Sequence, residues 1–355
     1  MSTAKVGEID LATGLAAYLG EAWETHVAVF DLSMTTAGAR RHNIVFAAAA
    51  DGEVRRLVAT IVPDGETMLN SIEAEAGVRA VAEAAGVAVP HVHLSREDGA
   101  LVGGPLMISD FVAGETVPRR VLRLVAERGN GELVAHQLGA SLALLHGIDP
   151  AATGLSLRTL EVPGPATEAA LASLAAAVDE LALARPVLAL GLRWLERHLP
   201  PAPPGPTIVH TDVRNGNLIV GDDGLRAVLD WEGALASGDP MQDVAWPALR
   251  MWRFREDGKE IGGFAGRAPY VAGYEAAGGT FDEERFEWWK VEGTLRWAVG
   301  LATQAMAFLD GRVPSIVMAA SGRRISELEW DLLMLIRPAP TASKTSPSGS
   351  VAPGV

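Results

Sequence analysis

Cysteine is absent from this 355-residue chain, which removes disulfides, thiolate nucleophiles and cysteine-ligated zinc together. Lysine is nearly absent too: of 30 basic residues only Lys5, Lys259, Lys290 and Lys344 are lysine, so positions 6–258 carry none. Basic charge as a whole is in deficit, 30 residues against 44 acidic ones and a formal net charge of −14. That balance argues against a sequence-independent nucleic-acid binder, which neutralises phosphates with clustered Lys and Arg; a cationic or metal-chelated substrate suits it better. No run reaches the ~18 consecutive apolar residues of a membrane span. The N-terminus, MSTAKVGEIDLATG, lacks the basic patch and apolar stretch of a secretory signal. These absences predict a cytoplasmic chain without membrane attachment. What is present is apolar material, 48% of residues, enough for one large or two medium domains.

The first third reads as a small mixed α/β unit. Residues 42–49 and 56–62 are β-prone runs on either side of Asp51-Gly52, a hairpin signal. A helix is expected from about Ser71 to Ala85 with Gly86 as its stop, and a further strand from Leu106 to Val112. Thereafter the pattern is mainly helical: 132–145, with Val134, Leu138, Leu142 and Leu145 on one face, then 241–253, 267–277, 281–310 and 315–336. The Pro-rich stretch 200–206 reads as a stiff connector. The last 19 residues have no apolar periodicity and read as a disordered tail.

The informative segment runs from Thr207 to Val244. Asn217–Val220 and Leu225–Leu229 read as two strands joined by the turn Gly221-Asp222-Asp223-Gly224. Pairing Val220 with Leu225 sets Asn217 opposite Val228, with Asp230 about two residues, or ~7 Å, further along. Asp212 lies in the loop entering the same end. Two oxygen side chains converging on one point with another carboxylate nearby suit Mg²⁺, a hard cation that keeps waters and phosphates as its remaining ligands. Phosphoryl transfer needs that arrangement, because its catalysis is mostly positioning and charge neutralisation. The spacing His210-x-Asp212-x-x-x-x-Asn217, followed by Asp230, matches the catalytic loop and metal-binding aspartate of protein kinases. The plainer reading of the same residues is a buried polar loop with an Asx-turn after a strand.

The segment resembles the aminoglycoside phosphotransferase and choline-kinase-like family in His210-Thr211-Asp212, Asn217, Asp230-Trp231-Glu232 and Gly238-Asp239-Pro240-Met241-Gln242-Asp243. More specifically, the chain resembles a subgroup near the kinase-like part of certain acyl-CoA dehydrogenases, a group in which hydroxylated acyl-CoA thioesters are phosphorylated. The resemblance implies an α+β, bilobal protein-kinase-like fold: a nucleotide-binding small lobe over residues 1–112, a larger helical lobe over 113–336, and the tail 337–355. It implies ATP and Mg²⁺, with Asp212 positioning or deprotonating an acceptor hydroxyl and Asn217 and Asp230 holding the metal. By the same likeness Gly38, Arg40 and Arg41 belong to the loop covering the phosphates, Glu75 is the helix glutamate that pairs with a phosphate-anchoring basic residue, and main chain from Asp110 to Val112 meets adenine. Asp243 would brace the catalytic loop. Asp239, ahead of Pro240, reads as a helix N-cap. Thr211, where the family has Gly, is expected only to crowd the loop.

One departure is serious. The family places Lys or Arg on the third strand of the small lobe, and alignment puts Thr60 there. Arg56 shares that face but lies four residues back, ~13 Å away. Arg40 or Arg41 is therefore expected to supply the missing charge from above. Other features carry less. His91 and His93 alternate without a third metal ligand nearby, and His146 reads as a helix-end residue. The tryptophans at 246, 252, 288, 289 and 297 are mostly core, though some could wall an acceptor pocket with Arg250, Arg253 and Arg296 recognising an anionic group. The leading expectation is a small-molecule hydroxyl kinase; the alternative is a pseudokinase-like nucleotide-binding module, motivated by Thr60. A protein kinase is disfavoured because only nine residues separate Asp230 from Pro240.

Overall fold

The computed structural model describes residues 5–6, 9–34, 41–63, 65–159, 164–181, 185–203 and 205–337. Gly38 and Arg40, with the rest of their loop, lie outside the described residues, as does the tail beyond Arg337. Among the described residues no helix is long and apolar enough to cross a membrane.

A two-residue ladder of β1 (Lys5–Val6) and β2 (Ile9–Asp10) leads into α1 (Leu11–Trp23), whose first turn is capped by Asp10. An antiparallel sheet follows: β3 (Ala28–Met34), β4 (His42–Ala50), β5 (Glu53–Ile61), β6 (Val92–Arg96) and β7 (Leu106–Asp110), in the order β3-β4-β5-β7-β6. The β4–β5 hairpin turns at Asp51 and Gly52, both with positive φ, as a tight primed turn demands. Strand alternation then decides the layers. Ile44, Phe46 and Ala48 of β4 and Leu57, Ala59 and Ile61 of β5 are buried against Leu11, Leu15 and Leu19 of α1. Each fully buried large side chain there contributes ~1.5–3 kcal/mol. The opposite face carries Asn43, Val45, Val58 and Thr60, half-buried.

Behind β7, Val62 and Met107 pack on Ile72 and Ala76 of α2 (Ile72–Ala84). This helix forms where expected because Ser71 accepts from the Ala74 N–H at 3.1 Å and Glu73 and Glu75 suit the positive end of its dipole. Gly86, at φ 90°, stops it.

The chain leaves β7 through residues 111–117. Gly114 is required in that passage: a Cβ there would sit 2.5 Å from Ile219 Cγ2 and 2.9 Å from the Val220 carbonyl. Its neighbour Glu115 exchanges both backbone hydrogen bonds with Val220, at 2.8 and 3.0 Å. Beyond it the chain is mainly helical: α3 (Pro118–Arg128), α4 (Gly131–His146), α5 (Pro150–Thr153), α6 (Ala166–Leu181) and α7 (Pro186–Arg197) precede the short strands. Strands β8 (Thr207–Val209) and β11 (Leu235–Gly238) pair antiparallel, and so do β9 (Leu218–Gly221) and β10 (Gly224–Val228). Then come α8 (Pro240–Ala245), α9 (Arg267–Ala276), α10 (Glu283–Leu309), α11 (Ile316–Ser321) and α12 (Ile325–Ile336). One continuous apolar core joins α4, α7, α10 and α12 to the strands.

Two expected helices are interrupted. The 241–253 segment is α8 followed by two 3₁₀ turns, because Pro247 has no N–H and Leu249 is extended at ψ 137°. The 315–336 segment breaks at a 3₁₀ turn over Gly322–Arg324.

Candidate active site

The catalytic-loop motif lies between β8 and β9 and is held from below by a buried carboxylate. Asp243, on α8, accepts the His210 N–H at 2.6 Å and the Thr211 N–H at 2.7 Å, and His146 Nε2 stands 3.3 Å from it. His146 is in turn 2.9 Å from the Tyr274 hydroxyl, so it is part of this brace and not a catalyst. Burial, with the charge of Asp243, pushes the Tyr274 phenol well above its ordinary pKa and keeps it neutral. Asp239 caps α8 through the Met241 N–H at 2.9 Å and also forms a buried ion pair with Arg285 at 2.6 Å.

His210 is fully buried and its tautomer follows from its partners: Nδ1 accepts the Asp212 N–H at 3.2 Å, while Nε2 donates to the Leu229 carbonyl at 3.0 Å. The ring thereby ties the start of the loop to the residue before Asp230. Thr211 does more than crowd this loop. Its φ is 76°, a left-handed conformation that costs a β-branched residue ~1–3 kcal/mol. Its backbone N–H on Asp243 and its hydroxyl on the Gly233 carbonyl at 3.1 Å hold it there.

Asp212, Asn217 and Asp230 converge. Asn217 Nδ2 donates to Asp212 Oδ2 at 2.7 Å and lies 3.5 Å from Asp230 Oδ2. The sequence-based register misplaced this last pair: a bulge between Leu225 and Ala227 sets Val228 opposite Leu218, and the Leu229 N–H meets the Asn217 carbonyl at 2.8 Å. Asp230 is therefore adjacent to Asn217 and not ~7 Å beyond it. Asp230 is also left-handed, at φ 68°, solvent-exposed, and its Oδ1 accepts no hydrogen bond among the described residues. An uncommitted carboxylate oxygen beside an amide fits a hard divalent cation. No group of three or more His, Asp or Glu among the described residues could hold a metal unaided; an ion here would need ligand oxygens as well.

Two neighbours of Asp212 were not assigned to it from sequence. Arg214 Nε contacts both carboxylate oxygens at 3.1 and 3.2 Å, and Trp246 Nε1 donates to Oδ1 at 2.8 Å. Trp246, Trp252 and Trp297 pack together at centroid distances of 5.3–6.3 Å. Arg214 lies over the Trp252 ring and Arg296 over the Trp246 ring, at 4.5 and 4.3 Å. Trp288 is core, donating to the Leu195 carbonyl. Of the three arginines singled out from sequence, Arg250 is bound to Asp257 and Asp331, Arg253 to the carbonyls of Ala248 and Asp257, and Arg296, beside the tryptophans, is ion-paired with the buried Glu292 at 3.3 Å.

On the sheet side, Thr60 donates its hydroxyl to Asn43 Oδ1 at 2.8 Å, and the Arg56 guanidinium stacks on Phe111 at 4.0 Å. Arg41, immediately before β4, donates to Glu75 at 2.7 Å and stands 3.0 Å from Glu232. Burial opposes its charge, but Glu75, Glu232 and Asp230 outweigh that and raise its pKa above the ordinary arginine value. Asn70, missed from sequence, joins the same region across the two halves: its amide donates to the Glu232 and Ala234 carbonyls at 3.0 and 2.9 Å and accepts the Arg158 N–H at 2.8 Å. At the exit of β7 the Asp110 N–H is committed to His91 and the Phe111 N–H to Arg56, whereas the Val112 N–H makes no hydrogen bond among the described residues. The Asp110 carboxylate faces His93 at 2.7 Å and His91 faces Glu83, so the two histidines have carboxylate partners.

A model of the phosphotransferase enzyme family matches residues 35–289. Over 208 residues the chain is 29% identical to acyl-CoA dehydrogenase family member 10 of Mus musculus, covering 55% of this chain and 18% of that protein. Among solved structures it resembles a protein of Ralstonia eutropha JMP134 assigned to the aminoglycoside phosphotransferases, at 23% identity, TM-score 0.66, and 91% and 97% coverage. It also resembles a spectinomycin phosphotransferase solved with ADP and spectinomycin, at 13% identity, TM-score 0.56, and 92% and 95% coverage. At these identities the structural likeness establishes the fold, a protein-kinase-like one with a mixed α/β sheet beside a helical body. The family match spans well over half the sequence, and the chain belongs to the phosphotransferase enzyme family.

Proposed function

We propose that the chain is an ATP- and Mg²⁺-dependent kinase for a hydroxyl group of a small molecule. The observation that carries this reading is the convergence of Asp212, Asn217 and Asp230 at one end of the β9–β10 hairpin, with Asp230 Oδ1 uncommitted. Residues 1–112 would form the nucleotide half and 113–336 the metal and acceptor half. The Val112 N–H would be a donor to adenine, Arg41 and Glu75 would lie on the phosphate side, and Gly38 and Arg40, outside the described residues, would belong to a covering loop. Asn217 and Asp230 would hold Mg²⁺, which when bound neutralises phosphate charge.

Asp212 orients the acceptor hydroxyl and takes its proton. Arg214 and Trp246 fix its carboxylate in place, so its first role is positioning. A nucleotide-binding module without transfer was motivated by Thr60, and the Arg41–Glu75 pair weakens that motive. On the acceptor side, the Arg214 and Arg296 guanidiniums beside the tryptophans are paired with Asp212 and Glu292, so the acceptors to be tried span anionic and cationic hydroxyl compounds. The test is incubation with Mg-ATP and panels of hydroxy acids, hydroxyacyl thioesters, choline-type alcohols, sugars and aminoglycosides, read by mass spectrometry. Absence of any phosphorylated product, with ATP hydrolysis unchanged in Asp212→Ala, would sink the enzyme reading for those acceptors.

A further inference from the structure

Four observations concern the missing basic residue. Thr60 stands where the charge is expected, and its hydroxyl is bonded to Asn43, its cross-strand partner. Cross-strand partners point to the same face, so Asn43 and Thr60 share one; Arg41, just outside the ladder and two residues before Asn43, reaches Glu75 of α2, the helix whose Ile72 and Ala76 pack on Met107, the other cross-strand partner of Thr60. Arg41 therefore starts one pleat repeat, ~7 Å, from the level of Thr60, a gap an extended arginine side chain spans. Its Nη1 is paired with Glu75, the partner that a basic residue at position 60 would have had. Its Nη2 is the informative atom: it is buried and lies 3.0 Å from Glu232 Oε2, yet it has no hydrogen bond of acceptable geometry. Charge holds Nη2 near Glu232 while its hydrogen-bonding capacity is left over. A buried donor in that condition is costly, and a ligand oxygen would relieve it.

We propose that the phosphate anchor of this chain has moved from β5 to the residue before β4: Arg41 holds the nucleotide phosphates, braced by Glu75, and Glu232 keeps its place between turnovers. The inference rests on the kinase reading and specifies how its nucleotide site works. Arg41 stands between α2, which carries Glu75, and the loop after Asp230, which carries Glu232. Incoming phosphate oxygens exchange with the Glu232 carboxylate for Nη2, while the Nη1–Glu75 bond remains. The anchor is thus assembled before the nucleotide arrives.

Calorimetric titration with ADP·Mg²⁺ and separately with adenosine tests this, alongside apo-protein melting curves. Arg41→Ala and Arg41→Gln are expected to weaken ADP binding by about ten- to a hundredfold, the span of a charged hydrogen bond, and to leave adenosine binding unchanged. Arg41→Ala/Thr60→Arg, which returns the charge to β5, should recover ADP affinity to within several-fold of wild type. Glu232→Gln should bind ADP as tightly as wild type or more tightly. Unchanged ADP affinity in both Arg41 single variants overturns the proposal. So does an equal loss of ADP and adenosine binding in well-folded variants, which would make Arg41 a support for α2 and nothing more. A wild-type protein that binds neither ligand overturns the anchor and the kinase reading together, whereas wild-type binding with indifferent Arg41 variants removes the anchor alone.

Discussion

The two sides of the proposed site meet comparable demands by different means. On the helical side the geometry around Asp212 is fixed by a loop in which almost every polar atom is committed: His210 to Asp212 and Leu229, Thr211 to Asp243 and Gly233, Asn217 to Asp212. On the sheet side the charge is carried by Arg41, in front of β4, while Thr60 on β5 is neutral. On the kinase reading a proton acceptor and a metal must be placed to within a fraction of an ångström, and a closed network of supports suits that demand. A phosphate anchor need only bring a positive charge and a donor to one point, and more than one strand can do that.

The largest expected effect breaks the helical side. Asp212→Ala should lower kcat by about 10²–10⁴-fold, the ordinary contribution of a positioned proton acceptor, with ADP binding intact. Product formation under saturating Mg-ATP checks it, and a similar loss of ADP affinity would mean that the two sides are not separable. Next is the support beneath the loop: Arg285→Leu strands the buried Asp239 carboxylate and should cost about 3–5 kcal/mol in urea unfolding.

Acid gives a third contrast. Glu260 is partly buried, which on its own would raise its pKa, but Arg267 and Lys290 hold it down at about 2. A depressed folded-state pKa stabilises fully above the ordinary value of about 4.5, and that stabilisation fades as the pH falls toward 2. Glu260→Gln should therefore abolish about 2–3 kcal/mol of pH-dependent stability between pH 4.5 and 2 without altering ADP affinity. Unfolding series at pH 7 and pH 3 check it. The smallest expected effect is at the seam: Asn70→Ala removes three hydrogen bonds between the halves and should cost about 1–3 kcal/mol, while raising KM for ATP more than it lowers kcat.

The helical side was the more legible in sequence, and the reason is local. Asp212 and Asn217 share one loop, and Asp230 follows by a hairpin whose turn residues announce it. Even so, the Arg226 bulge was invisible, because nothing in Leu225-Arg226-Ala227 marks it, and it moved Asp230 by one position. The sheet side depends on contacts 34 to 164 positions apart, such as Arg41 with Glu75 and Asn70 with Ala234. Side-chain periodicity carries no signal for those. The alternation of β4 and β5 was readable because one face is buried, whereas β3, an edge strand exposed along most of its length, shows no such pattern and went unassigned. Pro247, by contrast, was a readable stop inside the expected 241–253 helix.

An arginine in place of lysine beside Glu75 also changes how the protein presents itself to chemistry. Amine-directed reagents that mark nucleotide sites by acylating an anchoring lysine have no target along residues 6–258. Lysine acetylation cannot switch off a guanidinium anchor either. If Arg41 is the anchor, a survey of nucleotide-binding proteins by lysine-reactive probes would pass over this site, and a glyoxal reagent selective for arginine is the label suited to it.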